Sequence, residues 1–296
     1  MALVNIPARA RTARRASIRR YRLLATARGA ARYALLILIG LTMVFPFVWL
    51  VRSSFMSTVE IFTTPIKWLP RAWLWSNYQT ALTSIPFLTY FRNTLVIEVF
   101  NVVGTVLSSS FVAFGFARIR FAGRTILFAA VLSALMLPTA VTLIPTFVIW
   151  KYLGGINTYY PLTVPAFFGN PFFIFMLRQF YMGIPRDYDE AAVIDGASYL
   201  RIYWNIILPL AKPALITVGL FHFMWVWNDF FGPLIYLSDS NKYTLALGLQ
   251  SFLGQYSSNW NLLMAASTVV ILPMIVVFFV GQKSFVQGAT LTGVKG

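Results

Sequence analysis

The chain of 296 residues contains no cysteine and a single histidine, His222. The lack of cysteine excludes disulfides, thiolate metal sites, iron–sulfur clusters and thiol catalysis. One histidine, without a pair of acids beside it, leaves little for acid–base catalysis or metal binding. We therefore expect a protein that is not an enzyme and that holds no metal or cofactor of its own.

Charge is also scarce, at 11% of residues against about 25% in a soluble domain. Hydrophobic residues make up 58%, in continuous runs without the alternation of membrane β-strands. Each run can cross a bilayer core of about 30 Å as a helix. We predict an all-α integral membrane protein with six transmembrane helices, the third broken by Pro138 and Pro145, at 32–52, 90–117, 124–150, 162–180, 211–231 and 260–281.

The net charge is +16, and nine of the 24 basic residues are arginines within 1–32. A basic terminus also suits nucleic acid, but before a membrane span it is better explained by a cytoplasmic tail beside anionic lipid. The run at 33–51 is too long for a secretory signal, and no cleavage site follows it. We interpret 1–31 as an uncleaved, mobile tail, and expect no nucleic-acid partner.

The distribution of basic residues predicts the orientation. If the first segment lies inside, the inner segments hold 18 basic residues and the outer segments 6, which places both termini in the cytoplasm. The predicted layout is a basic tail, a first spanning helix, an outer loop, a transport core with a polar loop at 181–209, and a C-terminal tail, at 1–31, 32–52, 53–89, 90–281 and 282–296.

A polar stretch interrupts the apolar chain between the fourth and fifth predicted helices, and four of the eight acids lie within 187–195. Pro185 and the acids suit a helix N-terminus, and Gly196 suits the left-handed turn that ends the helix. A second helix is predicted from Ser198. A helix lying on the membrane is the alternative, but anionic lipid would repel the acids. We therefore expect a projecting elbow that docks into a protein groove.

At these residues the sequence resembles the permease subunits of ABC importers, in which this segment is the EAA loop. The residues that carry the resemblance are Glu190, Ala191, Ala192, Gly196, Ile206, Leu208 and Pro209. The maltose- and glycerol-phosphate-type carbohydrate subgroup is the most similar in its longer strings. These are LRQFYMGIPRDYDEAAVIDGAS at 177–198, WNDFFGPL at 227–234, LMLPTAVTLIP at 135–145 and the ending TGVKG.

The resemblance implies the type I importer permease fold, in the bacterial cytoplasmic (inner) membrane. It also implies a second, non-identical permease, a pair of ABC ATPases that bind ATP and Mg, and an outer solute-binding protein. The loop would be the coupling helix, formed by Glu190, Ala191, Ala192, Asp195 and Gly196. Glu190 would pair with a basic ATPase residue, the alanines would pack, and Gly196 would make the turn.

The positions of the lysines agree with ATP hydrolysis by a partner subunit. A phosphate-binding loop ends in Gly-Lys-Ser/Thr, and none of the six lysines follows a glycine. An ion-coupled secondary transporter is the alternative function, and it would use buried ionisable groups such as Glu98, His222 and Asp229. No inverted repeat supports it.

The outer end of the fifth helix carries Trp227, Asn228 and Asp229, whose aromatic and polar groups suit a sugar. An interfacial anchor is the alternative role. His222 fits a core histidine as well as a pathway residue, and Glu98 fits a link to the partner permease as well as the pathway. The sugar itself stays open between oligosaccharides, disaccharides such as trehalose, and glycerol-phosphate esters.

The long outer loop ends in FLGQYSSNW at 252–260. In maltose-type importers this loop resembles a scoop that enters the opened binding protein and evicts sugar. The candidate scoop residues are Gly254, Gln255, Tyr256, Ser257, Ser258 and Asn259. A loop that only docks on the rim of the binding protein is the alternative.

Overall fold

A computed structural model describes the backbone of residues 8–254 and 258–293. Its regular secondary structure is helical, apart from one isolated antiparallel bridge between Leu253 and Ser258. The α-helices in chain order are α1 (Ala8–Ser54), α2 (Thr58–Ile61), α3 (Ser76–Ser84), α4 (Phe87–Arg118), α5 (Arg124–Ser133), α6 (Thr139–Tyr152), α7 (Tyr160–Thr163), α8 (Pro171–Gly183), α9 (Asp187–Ile194), α10 (Tyr199–Ile202), α11 (Leu208–Leu210), α12 (Lys212–Trp227), α13 (Phe231–Tyr236), α14 (Leu245–Leu249) and α15 (Trp260–Gly293). A π-helical segment, Tyr203–Ile207, joins α10 to α11.

Four segments are long and apolar enough to cross a membrane: Arg28–Ser54, Phe87–Arg118, Tyr160–Gly183 and Trp260–Lys283. Two bent helix pairs also qualify, Arg124–Met136 with Thr139–Tyr152 at 100° and Tyr199–Leu210 with Lys212–Trp227 at 77°. If each pair is one span, the described chain has six, and the predicted all-α membrane fold class is confirmed.

At both ends of the chain the helices continue past the predicted spans. Residues 8–54 form one helix, so the predicted mobile tail continues into the first span without a break. Alanine, arginine and leucine are strong helix formers, which explains why the charged segment stays helical. In the same way α15 runs past the predicted end of the sixth span, as far as Gly293.

The third predicted helix is broken by only one of its two prolines. Pro138 has an extended backbone (ψ 136°) and stands immediately before α6, where its missing N–H costs no helical hydrogen bond. Pro145 lies inside α6, which continues through it, so its predicted break is wrong. The remaining differences are at helix ends: Gly169 and Asn170 interrupt the fourth span, and the fifth ends at Trp227.

Helix α4 is the centre of the bundle, and it packs against α8, α12 and the 3-10 turn Val164–Phe168. Small residues on α4 allow its close contact with the 3-10 turn. A Cβ at Gly104 would lie 3.0 Å from the Phe167 ring, and Ser108 Oγ donates a hydrogen bond of 2.8 Å to the Ala166 carbonyl.

Two apolar cores lie at opposite ends of α4. The first joins α4, α8, α12 and the segment 192–211, through residues that include Phe114, Phe173, Leu177, Tyr181, Ala192, Ile202, Tyr203, Ile207 and Val218. The second joins α3, α4, α12, α14 and α15, through Ala81, Tyr90, Trp227, Leu245, Phe252, Ala265 and Ala266. Helix α1 lies against α15, and the apolar window of its span is 0% buried.

Candidate functional site

The polar stretch forms an elbow, defined here as residues 187–210. Its first arm is α9, with three acids in the first turn, and its return arm is Tyr199–Leu210. Gly196 makes the bend with φ 76°, a left-handed conformation that glycine adopts without a steric penalty. Ser198 then caps the return arm by accepting a hydrogen bond from the Arg201 N–H.

The tip of the elbow exposes large apolar side chains. Ile194 is 86% exposed, and Val193, Tyr199 and Leu200 are also exposed. Glu190 and Asp195 are exposed around them. An apolar tip surrounded by acids suits a protein groove better than an anionic membrane surface.

The two alanines of the motif lie in different environments. Ala191 is exposed, whereas Ala192 is 9% exposed and packs in the core beside α4 and α8. Neighbouring positions on a helix point in different directions, so one alanine faces the chain itself. Only Ala191 is therefore open to a partner, which differs from the expectation that both alanines would pack against it.

Arg118 joins the elbow to the end of α4. Its Nη1 lies 3.2 Å from Asp189 Oδ2, and its Nη2 donates a hydrogen bond of 2.9 Å to the Ile184 carbonyl. The Arg118 side chain is 3% exposed and that of Asp189 is 18% exposed. Burial raises the pKa of Asp189 above its usual range, and Arg118 and Arg186 offset part of that rise.

No signal in the sequence predicts this ion pair. Arg118 counts among the inner basic residues, and Asp189 among the acids that suit a helix N-terminus. No spacing rule links two residues so far apart in sequence, and the pair forms only because α9 folds back onto α4.

A second link lies deeper in the same core. Ser110 Oγ lies 2.7 Å from Tyr181 Oη and 2.9 Å from Tyr203 Oη. All three residues are at most 1% exposed. The hydroxyls therefore connect α4 with α8, which precedes the elbow, and with the return arm of the elbow itself.

At the far end of the bundle, the three predicted pathway residues of the fifth helix have different environments. Trp227 is 2% exposed, and its Nε1 donates a hydrogen bond of 3.1 Å to the Val270 carbonyl. Its ring stacks on Phe223 at 5.3 Å, so it packs in the core. Asn228 is exposed and donates a hydrogen bond of 2.7 Å to the Met224 carbonyl.

Asp229 lies beyond the end of α12 and holds the turn into α13. Its Oδ1 accepts a hydrogen bond of 3.0 Å from the Gly232 N–H. Burial raises the pKa of Asp229, and backbone N–H groups of Gly232 and Phe231 offset part of the rise. Asp229 also lines a cavity of about 200 Å³, together with polar residues that include Thr94, Asn101 and Thr244.

The two buried ionisable candidates lie elsewhere on the helices. His222 Nε2 lies 2.9 Å from Thr105 Oγ1, which joins α12 to α4. Glu98 is 3% exposed, and its carboxylate oxygens have no hydrogen-bond partner within the described residues. Among those residues, no hydrogen bond or ion pair joins Glu98, His222 and Asp229 to one another.

The candidate scoop is described only at its base. Gln255, Tyr256 and Ser257 lie outside the described residues. Leu253 and Ser258 form the isolated bridge, and the Asn259 N–H donates a hydrogen bond of 2.9 Å to the Phe252 carbonyl. Phe252 is 3% exposed, so the base is held on the second core.

Comparison with known proteins places this geometry in a family. Residues 105–290 match the family described as "Binding-protein-dependent transport system inner membrane component". The probable starch degradation products transport system permease protein AmyC of Thermoanaerobacterium thermosulfurigenes is 32% identical over 259 residues, covering 88% of this chain and 94% of AmyC. The arabinooligosaccharides transport system permease protein AraQ of Bacillus subtilis (strain 168) is 37% identical over 210 residues, covering 71% of this chain and 74% of AraQ.

A solved structure has the same fold. It is the crystal structure of a bacterial ABC transporter involved in the import of the acidic polysaccharide alginate. The match has a TM-score of 0.76 at 26% sequence identity, and it covers 87% of this chain and 96% of that chain. The chain with its exposed elbow therefore belongs to the family of binding-protein-dependent ABC transporter inner membrane permeases, as a non-catalytic transmembrane component.

Proposed function

We propose that this permease forms half of the pathway of a sugar importer, and that a separate ABC ATPase drives it through the elbow. The elbow carries the proposal. It exposes Ile194 and Glu190 beside a glycine turn of φ 76°, while the first core fixes its base. A rigid base with an exposed apolar and acidic tip is the form that a docked coupling helix needs.

In this proposal Glu190 pairs with a basic ATPase residue, and Ala191, Asp195 and Gly196 lie against the same groove. ATP and Mg belong to the ATPase, because this chain has no lysine after a glycine and so no phosphate-binding loop. A second, non-identical permease completes the pathway. The apolar surfaces of α1, α5 and α6 support this partner, since α5 and α6 bury none of their residues in this chain.

The cargo we propose is an oligosaccharide or a related sugar. The support comes from the relatives named for starch degradation products and arabinooligosaccharides, and from the alginate importer. Asn228, the Asp229 cavity and the loop at 254–259 are the sites in this chain proposed to meet the sugar or its binding protein. Binding constants of the cognate binding protein for a panel of oligosaccharides would identify the cargo, and lack of sugar binding would contradict this part.

Both termini and the elbow are proposed to lie in the cytoplasm. The chain has no cysteine, so labelling of a single introduced cysteine reports on which side of the membrane that residue lies. Ile194→Cys at the elbow and Ser240→Cys at the far end make a matched pair. A membrane-impermeant maleimide should label Ser240→Cys in intact spheroplasts, and Ile194→Cys only after permeabilisation. The reverse pattern would contradict the orientation.

The decisive test of ATPase docking uses the same two variants. Each is co-expressed with the cognate ATPase, second permease and binding protein, and treated with a short cysteine-reactive photo-crosslinker. We expect Ile194→Cys to crosslink to the ATPase and Ser240→Cys to crosslink only to other partners. An assembled complex in which Ile194→Cys never reaches the ATPase would exclude the elbow as the docking surface.

A further inference from the structure

We propose that Arg118 and Ser110 are positioning residues that fix the elbow to α4, so that the elbow and this central helix move as one body. The proposal rests on the proposed function of the elbow for its role in transport. It does not rest on that function for the attachment, which is a property of this chain alone.

The first attachment is the fork of Arg118. One nitrogen of the guanidinium reaches Asp189 at 3.2 Å, and another reaches the Ile184 carbonyl at 2.9 Å. Asp189 is inside the first turn of α9, and Ile184 is the residue immediately after α8. A planar guanidinium that binds both acceptors fixes the direction of the chain between α8 and α9. A lysine, with a single nitrogen, cannot do this.

The second attachment is the hydroxyl of Ser110. It contacts Tyr181 near the end of α8 and Tyr203 in the return arm, at 2.7 and 2.9 Å. Tyr181 precedes the elbow in sequence, and Tyr203 lies within its return arm. Because all three hydroxyls are buried, separating them would leave polar groups without partners, which costs far more than the same change at the surface.

The two attachments lie on one helix at different depths. Ser110 and Arg118 are both on α4, and eight residues of helix span about 12 Å. One contact would leave the elbow free to pivot, whereas two separated contacts resist rotation. The apolar core between them, with Phe114 and Ile207, packs around both contacts and excludes water from them.

The attachment has a consequence for coupling. Helix α4 also carries Thr105, which bonds His222 on α12, and Thr94, which lines the cavity beside Asp229. If an ATPase displaces the elbow, α4 would therefore move with it as a rigid body. The movement would reach the opposite end of the bundle. A flexible elbow would absorb the displacement at its own base.

The attachment can be measured in the full chain alone, in lipid nanodiscs. Spin labels at Leu107→Cys on α4 and Ile194→Cys at the elbow are specific, since the chain has no cysteine. We expect one narrow distance distribution in this labelled parent. The distribution should broaden in Arg118→Gln and in Ser110→Ala, and broaden further when the two are combined. Arg120→Gln is the matched control, because it removes an exposed arginine two positions away.

The role in transport is measured in the assembled importer, without labels. We expect Arg118→Gln to lower the number of sugar molecules imported per ATP hydrolysed by about ten-fold, within the usual range of coupling between sites. Arg118→Lys keeps the charge and one contact, and should recover part of the loss. A purely structural role would change the amount of complex but not this ratio.

The outcomes separate the two proposals. Narrow distributions in both Arg118→Gln and Ser110→Ala would overturn the attachment, whether or not the elbow crosslinks to an ATPase. Broad distributions with an unchanged import ratio would overturn the role of the attachment in coupling. If Arg118→Gln cannot be purified, Arg118→Lys is measured in its place. A spin-label distance distribution in Arg118→Lys that is as narrow as that of the parent then overturns the inference.

Discussion

Thr105 on α4 and His222 on α12 are joined by a contact of 2.9 Å between Oγ1 and Nε2, and both side chains are buried. The ring of Phe173 on α8 meets the imidazole edge-on at 5.6 Å. The only histidine of the chain therefore fastens three helices of the bundle together. This arrangement favours a core histidine over a pathway residue.

Thr105→Val should destabilise the permease, because it leaves the buried His222 nitrogen without its partner at a cost of about 1–3 kcal/mol. Thr105→Ser keeps the hydroxyl and should remain close to the parent. The thermal unfolding midpoint of the purified permease measures the difference. A stable Thr105→Val variant with a raised KM for sugar uptake would instead place His222 in the pathway.

Gly196→Val should disturb the elbow through backbone strain alone. The residue has φ 76°, and a Cβ there would meet nothing within 4 Å, so space is not the limit. The left-handed conformation costs an ordinary residue about 1–2 kcal/mol. Gly196→Asn is the control, because asparagine tolerates this conformation. We expect binding-protein-stimulated ATP hydrolysis to fall in Gly196→Val and to persist in Gly196→Asn, and full transport by Gly196→Val would contradict the proposed coupling role.

Glu190→Ala should weaken docking of the ATPase, since a charge-assisted contact contributes about 1.5–3 kcal/mol. Asp187→Ala is a suitable control, because it removes an exposed acid from the same helix turn without touching the motif. The measurements are the ATPase retained on purification and the rate of stimulated hydrolysis, with sugar binding by the binding protein as the unaffected reference. Equal effects of the two variants would show a general role of charge and no specific pair at Glu190.

Asn228→Ala should slow sugar uptake without changing assembly of the importer. The side chain is exposed; its amide donates one hydrogen bond to the Met224 carbonyl of its own helix end and one of 3.6 Å to Met274 Sδ on α15, so the packing lost is small. Trp227→Phe is the contrasting variant, because it removes the bond to Val270 inside the core and should lower stability. Initial uptake rates at several sugar concentrations test the first effect. Uptake by Asn228→Ala that matches the parent would favour an anchor role.

Replacement of 254–257 by a short Gly-Ser turn should leave docking intact and stop eviction of sugar from the binding protein. The base is retained, because Leu253, Ser258 and the Asn259–Phe252 hydrogen bond are unchanged. A ligand favours the state that it binds better, so the tip must contact the open binding protein specifically. The measurement is the sugar retained in complexes trapped with an ATPase that cannot hydrolyse ATP. Sugar release equal to that of the parent would show that the loop only docks on the binding protein.

The class of the protein and the existence of its elbow follow from the amino-acid sequence. Only helices and closed β-barrels satisfy their backbone hydrogen bonds in lipid, and continuous apolar runs without strand alternation favour helices, so six spanning regions could be predicted from the sequence. The elbow was predictable because its signals are local: acids at a helix N-terminus, a glycine at the bend and Ser198 at the start of the second helix all act within a few residues. The family resemblance rested on this segment together with the strings at 135–145 and 227–234 and the ending TGVKG.

Only the tertiary structure decided which residues meet. Arg118 and Asp189 pair, Ser110 lies between two tyrosines, and Ala192 is buried while Ala191 is open, although the sequence offers no period that relates them. Helix ends also depended on context, since Pro145 lies inside α6 while Pro138 stands immediately before it. The physical reason is common to these cases: a contact between distant segments depends on how whole helices pack, and packing is set by all the side chains between them rather than by the two residues that touch.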